Sequence, residues 1–191
     1  DTDVLVICLH HWHELHNNGL KELWIKAGVA DTSRYIPIHT LASKIGQELC
    51  HVLPAIHSLT GCDFTSKFGT KLASLQAEPE RFLQDFGFLH RNMENQVALA
   101  EEYLVNVKKK GTTCKTMDQL RNYLYHHAKT PDLPATSCDT ELHILRAFYA
   151  THLMMTGHLK SHESLDPLAY GFAVVDDLLM PQSGRNQIPE E

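Results

Sequence analysis

Short apolar stretches in the first forty positions predict strands. Residues 3–8 form a continuous apolar run rich in β-branched side chains, which is typical of a buried strand in a parallel or mixed sheet. Two further short strands are predicted over residues 21–27 and 34–38, and Pro37 places the last one at an edge or a strand end. Residues 9–16, between the first two strands, are expected to be helical.

After residue 38 the apolar spacing becomes helical. Residues 39–59 repeat apolar positions at intervals of three and four, and Pro54 is expected to divide this stretch into two helices. Further helices are predicted from Lys71, from Pro79, over 97–110, from the capping box of Thr116 and Gln119, and over 140–156. A small hairpin is predicted over 170–180.

Taken together, these elements indicate an α/β fold. The first part is a partial sheet of about three strands, and the second is mainly helical and ends in the small hairpin. A boundary is placed near residues 75–79, which divides the chain into a first segment (1–75), a helical region (76–182) and a loose polar tail (183–191).

Composition excludes several classes of protein. With 191 residues and 43% hydrophobic content, the chain can build one core of ordinary size. The net charge of −6 argues against nucleic-acid binding over the whole surface, but it does not exclude binding through a local basic patch. No apolar run approaches the roughly 20 residues of a membrane helix. Five widely spaced cysteines without a C-x-x-C motif favour a reducing, intracellular compartment.

Three aspartates are candidate metal ligands. Asp1 and Asp3 begin the first predicted strand, and Asp63 lies in an L-T-G-C-D segment after a predicted helix. Carboxylates in such positions suit a hard divalent cation such as Mg²⁺. Since strand side chains repeat every second residue, we expect Asp1 and Asp3 to point to one side and to share a cleft with Asp63. The alternative is an ordinary strand start and an ordinary aspartate in a glycine turn.

Residues 65–71 form a candidate phosphate-binding loop that enters a helix. Gly69 permits close backbone approach, the helix amides favour an anion, and Lys67 and Lys71 add positive charge. The Walker pattern G-x-x-x-x-G-K-S/T is absent. The alternative is a polar helix start without a ligand.

Histidine is the third source of candidate chemistry, with fourteen residues in the chain. His10, His11, His13 and His16 crowd one segment, and His13 and His16 have the i, i+3 spacing of a shared Zn²⁺ site on a helix. No H-E-x-x-H motif occurs and no nearby cysteine completes a zinc finger. Solvated or half-buried histidines are the alternative.

Several segments resemble a group of transposon-associated animal proteins. They are DTDVLV at 1–6, YIPIH at 35–39 and LPAIHSLTGCDFTSKFGTK at 53–71. LRAFYAT at 145–151 and LDPLAYGF at 165–172 resemble the C-terminal part of the same group, so the resemblance covers nearly the whole chain. That group is in turn similar to the PIN-like, flap-endonuclease type of 5′-nuclease.

The resemblance implies a metal-dependent nuclease acting on DNA. Its Mg²⁺ or Mn²⁺ ligands would be Asp1, Asp3 and Asp63. A glycine-bearing turn that grips the duplex backbone would comprise Lys67, Gly69, Thr70 and Lys71, with one glycine where the family has G-x-G. Because the family also uses acidic residues upstream of its D-x-D pair, the chain is expected to be the C-terminal part of such a domain.

Two other functions stay open. One is a non-catalytic DNA-binding or protein-interaction module of a transposon-derived protein, which keeps the fold without the activity. The other is a zinc-dependent or histidine-based activity centred on residues 10–16. The expected location is intracellular, and a nuclear location follows from a DNA substrate alone.

Overall fold

The computed structural model describes residues 2–127, 133–160 and 164–184 and combines helices with two small sheets. The helices in these ranges are α1 (Thr2–Asn17), α2 (Ile38–Ile45), α3 (Gln47–Thr60), α4 (Lys71–Gln76), α5 (Pro79–Phe82), α6 (Met93–Lys108), α7 (Met117–His127) and α8 (Ser137–Thr156). The strands are β1 (Trp24–Ala27), β2 (Arg34–Pro37), β3 (Phe172–Val175) and β4 (Leu178–Pro181). None of the described helices has the length and apolar content needed to cross a membrane.

The first predicted strand is wrong, because residues 3–8 lie in α1. The buried side chains of this helix are Val6, Leu9 and Trp12, and their spacing of three places them along one helical face. An apolar run of this length is compatible with a strand or with a buried helix. The buried positions that follow it, Leu9 and Trp12, continue the helical spacing. The strand geometry expected to align Asp1 with Asp3 is therefore absent, and Asp1 lies outside the described residues.

The second and third predicted strands are confirmed as β1 and β2, but the sheet they form is different. They pair antiparallel, with Ile25 opposite Ile36. Among the described residues no further strand joins this pair. The predicted partial sheet of about three strands, parallel or mixed, is thus a two-stranded antiparallel pair, since its first member is a helix.

The helical stretch after β2 is divided at Gly46 and not at Pro54. Gly46 has φ 90°, donates to the carbonyl of Ala42 at the end of α2 and accepts from Cys50 in α3. This left-handed conformation strains other residues, so the glycine ends one helix and starts the next. Pro54 lies buried inside α3 and does not end the helix, although proline cannot donate the helix hydrogen bond.

The larger hydrophobic core lies where α3, α6 and α8 meet. Its largest fully buried side chains include Leu59, Tyr103, Leu104, Ile144 and Phe148. This core takes residues from both sides of the boundary expected near residues 75–79. A smaller core around Trp12 joins α1, α2 and the β1–β2 pair. The smaller core also contains Cys50 of α3 and therefore places α1 against α3.

The remaining elements follow the sequence pattern closely. Thr116 accepts a hydrogen bond from the backbone of Gln119 at 3.3 Å, which is one half of the predicted capping box, and the Gln119 side chain accepts from the backbone N–H of Lys115 at 2.8 Å. The small hairpin is confirmed as β3–β4. Its turn residues Asp176 and Asp177 both have positive φ, 52° and 60°, the conformation of a tight two-residue turn. By contrast, the helix predicted from Pro79 is only four residues long and ends at Phe82.

His143 is a buried histidine held against the end of α3. Its Nε2 lies 2.9 Å from the carbonyl oxygen of Leu59. Burial lowers the pKa of His143, Arg146 lowers it further, and the hydrogen bond to Leu59 opposes the shift. The folded protein therefore holds this ring neutral, with Nε2–H as the donor.

We expect the free energy of unfolding to fall as the pH drops below about 6.5, the ordinary pKa of histidine. Below that value the unfolded chain binds a proton that the folded chain resists, whereas at higher pH the full stability is present. His143→Gln keeps an N–H donor and cannot titrate, so it should flatten this slope between pH 7 and pH 5 in urea unfolding. His126→Gln, on the exposed face of α7, is the matched control. Equal slopes in both variants would contradict the assignment.

Candidate functional site

A cleft of about 440 Å³ lies between the start of α1 and the loop that follows α3. It brings together four of the residues predicted to form a site, Asp3, Asp63, Lys67 and Gly69. The rest of its lining is Thr2, His57, Thr60, Gly61, Cys62 and Thr65. Two acidic side chains sixty residues apart in sequence thus face the same space.

Asp3 is held by a partner that sequence analysis missed. The Nε2 atom of His57, on α3, lies 2.5 Å from Asp3 Oδ1. The histidine side chain is 14% exposed and the aspartate side chain 28% exposed, so the pair is partly shielded from water. This contact ties the first turn of α1 to α3 and orients the Asp3 carboxylate. No local spacing could connect residues 54 positions apart.

The loop after α3 is folded tightly back onto the helix end. Gly61 has φ 126°, and a Cβ atom there would lie 2.9 Å from the Cα atom of Lys67. Only glycine allows the two backbone segments to approach so closely. The backbone N–H of Phe68 donates to the carbonyl of Thr60 at 2.9 Å and closes the loop.

Thr65 holds the loop from inside. Its buried hydroxyl donates to the carbonyl of Ser58 at 2.5 Å and accepts from the backbone N–H of Cys62 at 3.2 Å. With Thr65 turned inward, Asp63 and Lys67 are left exposed on the outer side of the loop. The fold thus presents one carboxylate and one ammonium group together at the cleft.

Two residues of the predicted phosphate-binding turn have a role in the fold itself. Gly69 has φ 68°, and a Cβ atom there would lie 2.6 Å from Val107 Cγ1 on α6. The Thr70 hydroxyl caps α4 by accepting from the backbone N–H of Ala73 at 3.2 Å. Lys71 is the first residue of α4, and its side chain lies outside what the structure describes. Of the two lysines in this turn, Lys67 is therefore the one that the structure places at the cleft.

The donor chemistry of the cleft fits a hard divalent cation. Mg²⁺ is bound in proteins through one or two carboxylates, with water and substrate phosphate filling the other positions. Asp3 and Asp63 supply two carboxylates, of which the first is partly exposed and the second exposed. Mn²⁺ prefers the same donors. Lys67 beside them is a suitable contact for a phosphate group.

The histidines of α1 lie in different environments. The Nδ1 atom of His16 lies 3.0 Å from the carbonyl of Leu20, and His10 and His13 line a cavity of about 670 Å³ together with His51. Burial lowers the pKa of His10 to about 4, and the nearby His11 adds to this shift. Within the described ranges, His13 and His16 do not belong to a group of three metal-binding side chains.

Comparison with known proteins found no relative of this chain. No family model, no curated protein and no solved structure matches this chain. The resemblance to transposon-associated proteins and PIN-like nucleases stays a prediction from the segments quoted above. Any function for the cleft must therefore be argued from its own residues.

Proposed function

We propose that the cleft is the cation- and phosphate-binding site of a nuclease-like domain of the PIN-like, flap-endonuclease type, acting on DNA. The observation that carries this proposal is that Asp3 and Asp63, from different elements, line one cleft next to Lys67. The cofactor would be Mg²⁺ or Mn²⁺, and the partner would be the DNA backbone.

The cleft residues that carry this proposal have distinct roles. Asp3 and Asp63 would hold the cation, which when bound supplies an activated water and neutralises charge on the phosphate. His57 positions Asp3 through a charge-assisted hydrogen bond. Lys67 contacts a neighbouring phosphate as a point charge. Gly61 allows the close backbone approach to Lys67 that holds Asp63 and Lys67 in one tight loop.

A second lysine near the loop that carries Lys67 supports a nucleic-acid partner. The ammonium group of Lys108, at the end of α6, lies 4.6 Å from the centre of the Phe68 ring. Phe68 directly follows Lys67 in sequence, so Lys108 brings a second positive charge near this loop although the chain as a whole carries a net charge of −6. Backbone contacts of this kind provide affinity without base sequence preference.

Asp63→Asn tests the cation site. It keeps the shape of the side chain and removes the charge, and we expect Mn²⁺ affinity and any Mg²⁺-dependent cleavage of DNA to fall tenfold or more. Even outer-shell changes cost about 10–100-fold at metal sites. Asp31→Asn, on an exposed turn outside the cleft, should keep wild-type behaviour. Unchanged affinity in Asp63→Asn would remove the cleft as the site.

Lys67→Ala tests the phosphate contact. We expect weaker binding to duplex DNA and a log–log salt dependence that is flatter by about 0.9, the contribution of one phosphate contact. The effect should be the same for unrelated DNA sequences. Lys26→Ala, an exposed lysine on β1, changes the net charge equally outside the cleft. If both variants lose the same slope, Lys67 has no specific role.

The second candidate is a non-catalytic DNA-binding module. The observation that favours it is the hydrogen bond between His57 and Asp3, because a cation must compete with a histidine for this carboxylate. DNA binding that persists in EDTA, with no cleavage in Mg²⁺ or Mn²⁺, would favour this candidate. DNA cleavage that requires Asp63 would exclude it.

A further inference from the structure

Three side chains from distant parts of the chain meet beside α1 and the end of α8. His11 and Glu14 are three residues apart on α1, and His158 follows α8 directly after Gly157. One ligand atom from each of the three lies within 4.8 Å of the other two. In the part of the chain that the structure describes, no other three histidine, cysteine or acidic side chains meet this closely.

His11 is the most firmly placed of the three. Its side chain is 14% exposed, and its Nδ1 atom lies 3.9 Å from Glu14 Oε2. Its Nε2 atom is buried without a hydrogen bond of regular geometry, while the ring lies against the backbone of Met154. The rings of His11 and His158 meet edge to face, with centroids 4.3 Å apart. Two imidazoles and a carboxylate thus converge around one half-buried ring.

We infer that His11, Glu14 and His158 form a Zn²⁺ site that joins α1 to the end of α8. Two histidines and one glutamate are a known three-ligand set for zinc, and they leave the fourth position open to water. Metal–ligand distances of about 2.0–2.2 Å place tetrahedral donors about 3.4 Å apart. Glu14 and His158 are exposed, so both side chains can move inward by the small distance that closure requires.

The donor set distinguishes this site from the carboxylate cleft. Imidazole nitrogens favour Zn²⁺, whereas carboxylates and water favour Mg²⁺ and Mn²⁺. The neighbouring His10 and His13 do not belong to this cluster, and they line a cavity together with His51. The site is thus independent of the proposed nuclease function.

Zinc titration of the whole chain tests the inference. By isothermal titration we expect one equivalent of tightly bound Zn²⁺. With Zn²⁺ at a hundredfold excess over Kd, the melting temperature should rise by about 5–10 °C. His158→Ala removes an exposed ligand at the end of a helix, and Glu14→Gln removes the carboxylate charge. Each should weaken Zn²⁺ binding tenfold or more and remove most of the thermal shift.

Two controls make the result specific. His126→Ala removes an exposed histidine on α7 and should bind Zn²⁺ as the wild type does. Asp63→Asn should also keep the Zn²⁺ site, which separates this inference from the proposed function. Wild-type affinity in both His158→Ala and Glu14→Gln would show that Zn²⁺ binds other histidines, and it would overturn the inference.

Discussion

Phe148→Ala should lower the free energy of unfolding by about 3–5 kcal/mol, the range for a large aromatic side chain removed from a core. Phe148 lies at the centre of α8 and is completely buried. Its ring meets Phe86 edge to face at 5.5 Å and stacks on Tyr170 at 5.7 Å. The substitution leaves a cavity at the point where α8 meets the segment before β3.

Urea unfolding measures this effect directly. Tyr125→Ala is the matched control, because Tyr125 is 70% exposed on α7 and its loss should change stability by no more than about 0.5 kcal/mol. A loss below about 1 kcal/mol for Phe148→Ala would show that the larger core is not assembled around α8. The whole account of the fold would then need revision.

Gly61→Ala is expected to be the most damaging single change at the cleft. A residue other than glycine at positive φ costs about 1–3 kcal/mol. The added Cβ atom would also lie 2.9 Å from the backbone of Lys67, and the forced shift costs about 1–3 kcal/mol more. Because the loop that carries Asp63 and Lys67 must move, Mn²⁺ affinity should fall together with stability.

Gly46→Ala separates these two effects. Gly46 also has positive φ, 90°, but no atom lies within 4 Å of a Cβ built there. This variant should lose stability through backbone strain alone and should keep Mn²⁺ affinity, measured by titration well below its melting temperature. If Gly61→Ala binds Mn²⁺ as well as Gly46→Ala does, the closed loop is not needed for the site.

Local patterns in the sequence predicted most of the helices and the terminal hairpin correctly. The start of α7 carries the predicted cap at Thr116, and the hairpin has two turn residues that tolerate positive φ, Asp176 and Asp177. In both places the residues that determine the structure are neighbours in sequence. Such elements can be inferred without knowledge of the tertiary fold.

The first strand was predicted wrongly because its structure depends on distant contacts. Residues 4–7 are apolar and β-branched enough for a strand. In the folded protein, however, Val6 and Leu9 are buried on one side of a helix, and the Asp3–His57 pair joins that helix to α3. Tertiary packing therefore overrides local propensity at this position.

The candidate sites also combine residues that the local sequence indicates with residues that only distant contacts bring in. Asp3, Asp63 and Lys67 could be selected from the sequence because their residue types and the loop pattern indicate the chemistry. Their partner His57, and the approach of His158 to α1, leave no local pattern, since each contact spans more than fifty residues. Sequence analysis proposed zinc for the histidine-rich segment, but it could not select His11.

The central claim is that Asp3 and Asp63 hold one divalent cation, and paramagnetic broadening by Mn²⁺ tests it most directly. In backbone amide spectra of the whole chain, substoichiometric Mn²⁺ should broaden the signals of Asp3, Cys62, Asp63 and Lys67 first. The broadening should disappear from this cleft in Asp63→Asn and persist in Asp31→Asn. Broadening centred elsewhere in the wild type, or unchanged in Asp63→Asn, would contradict the account.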